Sequence, residues 1–96
     1  MEIILEGCKI SCEADLHRLL QEKLDFGPYY GSNLAGLRDR LSSDVERPVT
    51  LIWRNSGLSR EALGSDLFNR IVEIFRFVEE QDKSYSWEER FVFVVK

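Results

Sequence analysis

Two groups of residues have side chains and spacing that could do chemistry. The first, Cys8, Cys12 and His17, brings two thiols close to the only imidazole of the chain, as a zinc site or a base-activated thiolate would require. A structural zinc needs a complete tetrahedral ligand set and this spacing matches no common site, while Cys12 and His17 are not spaced to share a helix face. In a reducing compartment the cysteines read as free thiols at core or turn positions rather than as a disulfide. The second group, Tyr29-Tyr30-Gly31 followed by Arg38-Asp39-Arg40, is suited to recognition rather than bond making. Aromatic and arginine side chains are the usual anchors of protein interfaces.

Nothing else supplies a reaction. A lone histidine, with no glycine-rich phosphate loop, no nucleophile elbow and no ligand cluster, leaves the acid and base pairing of a hydrolase without candidates. The expectation is therefore no catalytic residue, no cofactor and no metal.

These residues must be positioned by the elements around them. Ile3-Ile4-Leu5 reads as a buried strand ended by a turn at Glu6-Gly7. Leu16, Leu19, Leu20 and Leu24 form one apolar helical stripe with His17 at its edge, and Gly27-Pro28 is expected to stop that helix. In the loop that follows, Tyr30 is expected to drop into the core while Tyr29 reaches outward. Ser32 or Asn33 can cap a second helix whose Leu34, Leu37 and Leu41 face inward, leaving Ala35, Arg38, Asp39 and Ser42 on the outer surface.

Pro48 opens a β-rich run, Val49 to Trp53, expected to be a central strand. A short helix around Ser59 to Leu63 follows. A longer helix from about Asp66 to Glu80 buries Leu67, Ile71, Ile74, Phe75 and Val78, with Phe68 and Val72 widening the face; Phe77 lies off this face and is expected to be partly exposed. Gln81 to Arg90 reads as a polar connection carrying Tyr85 and Trp87. Phe91 to Val95 is a final strand whose unbroken apolarity predicts burial on both faces or a dense core face. The order of elements predicts parallel strands joined by right-handed helical crossovers. This is an α/β fold, a three-stranded parallel sheet packed with about four helices.

At 96 residues the chain suits one domain spanning 1–96 rather than two. With 44% hydrophobic and 31% charged residues neither disorder nor a coiled coil is favoured. The net charge of −4 argues against nucleic-acid binding, which needs clustered Lys and Arg, and points toward a basic partner. No apolar run approaches the roughly 18 residues of a membrane span. The N-terminal Met-Glu-Ile-Ile-Leu-Glu lacks the features of a signal peptide, so a cytoplasmic location is expected.

The segment Tyr29 to Leu41 resembles the inhibitory loop and helix of the barstar family of ribonuclease inhibitors. The similarity begins at Ile10 and Asp15-Leu16-His17 and peaks at Tyr29-Tyr30-Gly31 with Asn33-Leu34 and Leu37. It continues through Asp39, Leu41, Val45-Glu46, Pro48, Trp53-Arg54 and Phe75-Arg76. The resemblance implies inhibition by occlusion. A carboxylate of the second helix enters the phosphate site of the nuclease while the loop aromatic covers its active-site histidine; Asp39 and Tyr29 match those positions. The implied partner-binding residues are Tyr29, Gly31, Asn33, Leu34, Ala35, Arg38, Asp39, Ser42, Asp44 and Phe77.

Departures from the pattern are informative too. Ala35 and Phe77 stand where the barnase inhibitor has acids, and Arg38 and Asp44 where it has tryptophans. The resulting mixed charge weakens the single-sign patch on which electrostatic steering between the family's prototype inhibitor and its nuclease depends. A ribonuclease diverged from barnase, with a less basic face, is the expected target. The loop before the last strand, longer than in the barnase inhibitor, is expected to add Tyr85 or Trp87 to the contact. Arg38 is expected to face a partner carboxylate, so that Arg38→Glu weakens association more than Arg70→Glu. The implied protein is a non-enzymatic cytoplasmic immunity protein, monomeric when free and 1:1 with a ribonuclease toxin, without nucleic-acid or membrane binding. The alternative is a barstar-fold module that binds a non-nuclease partner.

Overall fold

The computed structural model describes residues 1–96. Three strands, β1 (Glu2–Glu6), β2 (Val49–Arg54) and β3 (Phe91–Val95), form a parallel sheet in the order β1-β2-β3. The register aligns Ile3 with Leu51 and Leu51 with Phe93. Four helices connect and cover the strands: α1 (Glu13–Leu24), α2 (Leu34–Ser43), α3 (Ser56–Leu63) and α4 (Ser65–Ser84), with a short 3-10 turn at Gly7–Lys9. The expected α/β architecture, with a central β2, is the one observed.

The helices cover one face of the sheet. Ile3, Leu5, Val49, Leu51, Trp53, Phe91 and Phe93 point into the core, whereas Ile4, Ile52 and Val94 are half-buried and Val92 is exposed. Of the two expectations for β3, the dense core face is the one observed, and burial on both faces is corrected to alternation. Its unbroken Val and Phe content reflects the fit of β-branched and aromatic side chains to a pleated surface, which does not depend on burial of both faces.

Trp53 lies at the centre of the core, its ring 5.0 Å from Phe68 and 6.1 Å from Phe75. Full burial of large apolar side chains such as these stabilises the fold by about 1.5–3 kcal/mol each. The indole N–H donates to Ser59 Oγ at 3.0 Å, and the Ser59 hydroxyl donates to the Gly7 carbonyl at 3.0 Å. No larger residue fits at position 7, because a Cβ there would run into the carbonyl oxygens of Asn55 and Arg54. The left-handed backbone of Asn55 (φ 51°) turns the chain directly from β2 into α3, so this helix starts earlier than its apolar residues indicate.

Two further helix ends differ from expectation. α1 stops at Leu24, not at Gly27-Pro28, because Asp25 adopts the left-handed conformation (φ 54°) that terminates helices. The early stop lets Phe26 turn into the core and Gln21 Nε2 donate to the Gly27 carbonyl at 2.6 Å. α4 runs on to Ser84 because Glu79 and Asp82, polar in sequence, are buried. Asp82 accepts the Phe91 amide at 2.7 Å and both Nε and Nη2 of Arg47, at 2.8 and 3.1 Å. Glu79 accepts the Phe93 amide at 2.9 Å, while Arg76 Nη1 donates to the Phe93 carbonyl at 3.0 Å. α4 is thereby fixed against the outer edge of β3, and one side of α4 is held beside α2.

Candidate functional site

The loop between α1 and α2 is pinned from both sides. Tyr30 is buried and Tyr29 is 90% exposed, the division expected from the sequence. The Tyr30 ring packs 4.9 Å from Phe26 and 5.5 Å from His17. Its hydroxyl donates to His17 Nδ1 at 2.5 Å, and His17 Nε2–H donates to Glu13 Oε2 at 2.9 Å; a neutral imidazole protonated on Nε2 satisfies both bonds. His17 is thus fully enclosed rather than at the edge of the α1 stripe, because Tyr30 folds over it. Burial, with the Glu13 charge beside it, pushes the Tyr30 phenol well above the usual tyrosine range against the opposing pull of Arg40. Arg40 Nη1 donates to the Phe26 carbonyl at 2.9 Å from the α2 side. Tyr29 therefore projects from a backbone anchored on both sides, which reduces the loop ordering that binding would otherwise cost.

Asn33 caps α2. Its Oδ1 accepts the Gly36 amide at 2.7 Å and its Nδ2 donates to the Gly31 carbonyl at 3.3 Å, which ties the loop to the first turn of the helix. Ser32, the other expected cap, instead takes a left-handed conformation (φ 53°) that directs the chain into Asn33. Leu34 is half-buried against the core, Ala35, Arg38 and Asp39 are exposed, and Ser42 is half-buried.

Asp39 is flanked in sequence by two arginines yet paired with neither. Arg40 is taken by Asp44 Oδ2 at 3.1 Å and by the Phe26 carbonyl. The Arg38 guanidinium lies over the Phe77 ring of α4, 5.4 Å from its centroid. The Asp39 carboxylate has no partner within the chain and stands exposed on the same helix as Arg38.

Of the ten candidate residues, the structure gathers Leu34, Ala35 and Arg38 with Phe77 where α2 packs on α4. Between these helices runs an open groove of about 300 Å³ lined by Leu34, Ala35, Arg38, Arg70, Glu73 and Ile74. Asp44, at the end of α2, instead borders a separate hollow with Met1, Lys23 and Leu24. The sequence alone presents Arg70 as remote from Arg38 and suitable for comparison with it; both line one groove, so that comparison does not hold. Arg70 and Glu73 were missed as groove residues, although with Phe77 they repeat at helical spacing beside the core stripe, and Ile74, expected in that stripe, is only half-buried and lines the groove as well.

Tyr85 and Trp87 are exposed and stacked on one another at 5.0 Å. Cys8 and Cys12 are exposed free thiols, and no three His, Cys, Asp or Glu side chains converge on a point that could hold a metal ion. No helix is long and apolar enough to cross a membrane. The surface offers an aromatic side chain, a free carboxylate and two guanidinium groups, which can bind a protein surface by shape and charge.

Comparison with known proteins places the chain among relatives. The family profile described as "Barstar (barnase inhibitor)" matches residues 1–96. A protein of Bacillus subtilis (strain 168) described as "Putative ribonuclease inhibitor YrdF" is 37% identical over 82 residues, covering 85% of this chain and 89% of the relative.

Proposed function

Because the chain belongs to the barstar family, we propose that it is a ribonuclease inhibitor that works without chemistry, by occluding the active site of its target. The loop and helix from Tyr29 to Asp44 form the plug. Asp39 enters the cationic phosphate site of the nuclease, Tyr29 covers the adjoining surface, Gly31, Ala35 and Gly36 let the partner approach the backbone closely, and Asn33 and Leu34 contact it at the start of α2. Ser42, Asp44 and Phe77 border the contact. The protein acts in the cytoplasm as an immunity protein, folds as one domain, is monomeric when free and binds a barnase-like or diverged ribonuclease toxin 1:1.

One observation carries this reading. Asp39 is exposed and unpaired: its sequence neighbours Arg38 and Arg40 project away from it round the helix, and the positions one turn away, Ala35, Gly36, Ser42 and Ser43, carry no charge. A carboxylate left free beside a pinned aromatic loop has no role in holding the fold, and it is available to a cationic site. Replacement of acids and tryptophans at Ala35, Arg38, Asp44 and Phe77 favours a second reading, a module with a non-nuclease partner.

Affinity capture from the source organism's lysate, with wild type and Asp39→Ala as parallel baits, decides between them when the released proteins are assayed for RNA cleavage. A ribonuclease retained and inhibited by wild type and lost with Asp39→Ala supports the inhibitor. A partner without nuclease activity, held equally by both baits, overturns it.

A further inference from the structure

The α2–α4 groove holds three charged side chains that find no ionic partner in the chain. Arg38, Arg70 and Glu73 line it, and none makes an ion pair or a side-chain hydrogen bond. Two guanidinium groups against one carboxylate leave the groove positive on a molecule whose net charge is −4. Leu34, Ala35 and Ile74 supply an aliphatic floor, and Phe77 holds the Arg38 guanidinium in place from below.

We propose that this groove is a subsite for a glutamate side chain on the surface of the protein's partner, with its methylenes on the Leu34, Ala35 and Ile74 floor and its carboxylate between Arg38 and Arg70. The assignment rests on the reading of the α2 face as the partner-binding surface. Charge and shape both select this occupant. A cationic side chain would meet two guanidiniums, and a purely apolar one would strip water from three charges and return no hydrogen bond to them. A phosphate could use the arginines but not the floor, and its second negative charge would add to the repulsion from Glu73. A carboxylate accepts bidentate hydrogen bonds from arginine in a geometry lysine does not reproduce. The partner therefore carries an acidic residue beside the cationic site that receives Asp39, and the two contacts, of opposite polarity, fix the orientation of the complex.

The test uses the full chain at low salt with isotope-labelled methyl and arginine Nε groups. N-acetyl-glutamate methylamide, N-acetyl-glutamine methylamide and inorganic phosphate are titrated separately at matched ionic strength. Saturable shifts at Leu34, Ala35 and Ile74 methyls and at Arg38 and Arg70 Nε–H are expected with the glutamate probe alone. They should disappear in Arg38→Gln and in Arg70→Gln, whose backbone spectra report intact folds, while Glu73→Gln should tighten the probe severalfold. Absence of saturable shifts, equal shifts with the glutamine probe or with phosphate, or persistence in both arginine variants overturns the subsite. The two readings fail separately: probe binding without ribonuclease inhibition leaves the groove and removes the inhibitor, and inhibition without probe binding does the reverse.

Discussion

The guanidinium carbon of Arg38 on α2 stands over the ring of Phe77 on α4, 5.4 Å from its centroid. The contact joins two helices that are distant in sequence, while Asp39, the next residue of α2, projects about 100° further round the helix and does not compete for the arginine. A cation over an aromatic face at an exposed site is worth only about 0.5–1 kcal/mol. Its main effect is to fix where the guanidinium stands.

A double-mutant cycle in urea measures that contact directly. Phe77→Ala and Arg38→Ala should each destabilise the fold only slightly, with a coupling of about 0.5–1 kcal/mol between them. Zero coupling would mean that the arginine is not held by the ring.

Removing the free carboxylate should separate binding from folding. Asp39→Ala is expected to weaken inhibition of the target ribonuclease by about 2–4 kcal/mol, the scale of an interface hot spot, with the urea midpoint unchanged. Inhibition assays at several inhibitor concentrations and an equilibrium melt give the two numbers. An equal loss of stability would show that Asp39 serves the fold instead.

Tyr30 predicts a sensitivity to alkali. Folding raises its pKa, mainly through burial and then through the charge of Glu13. The stability tied to the neutral phenol is therefore complete below a pH of about 10, where an unfolded tyrosine begins to ionise, and is lost as pH rises beyond that value. Urea midpoints measured from pH 8 upward should fall above pH of about 10 in the wild type, and less steeply in Tyr30→Phe. At neutral pH that variant should lose about 1–2 kcal/mol, because His17 Nδ1 is left buried without its donor. Parallel pH profiles for the two proteins would contradict the assignment.

The Asp82 carboxylate should matter to stability more than any surface charge. Asp82→Ala leaves Arg47 and the Phe91 amide without their acceptor, and breaking a buried pair from one side costs about 3–5 kcal/mol. Lys83→Ala, which removes a pair between exposed side chains, should cost less than about 1 kcal/mol. Comparable losses in the two variants would rule out a buried anchor at position 82.

The sheet, the helices and the fates of Tyr29 and Tyr30 were legible because apolar spacing and turn residues report directly on burial. Asn33 was legible as a cap for the same local reason. What escaped depended on contacts between distant segments. Asp82 read as part of a polar connection, and Glu79 gave no signal, because their partners lie on β3 and before β2, so the last turn of α4 was missed. His17 read as an edge residue because nothing in its own helix announces that Tyr30 closes over it. Arg70 read as remote because the groove exists only once α2 packs on α4. Asp25 ended α1 by a left-handed turn that glycine performs more often.

The hydrogen bonds from the Phe91 and Phe93 amides to Asp82 and Glu79 decide where the sheet stops. A strand approaching β3 from outside would find two donors already occupied, Arg76 on the Phe93 carbonyl, and α4 in its path. Side chains of a helix stand in for the missing fourth strand. Open strand edges are templates for runaway pairing between copies, and on this side the chain has closed its own, so it can accumulate in advance of its partner without recruiting itself into fibrils there.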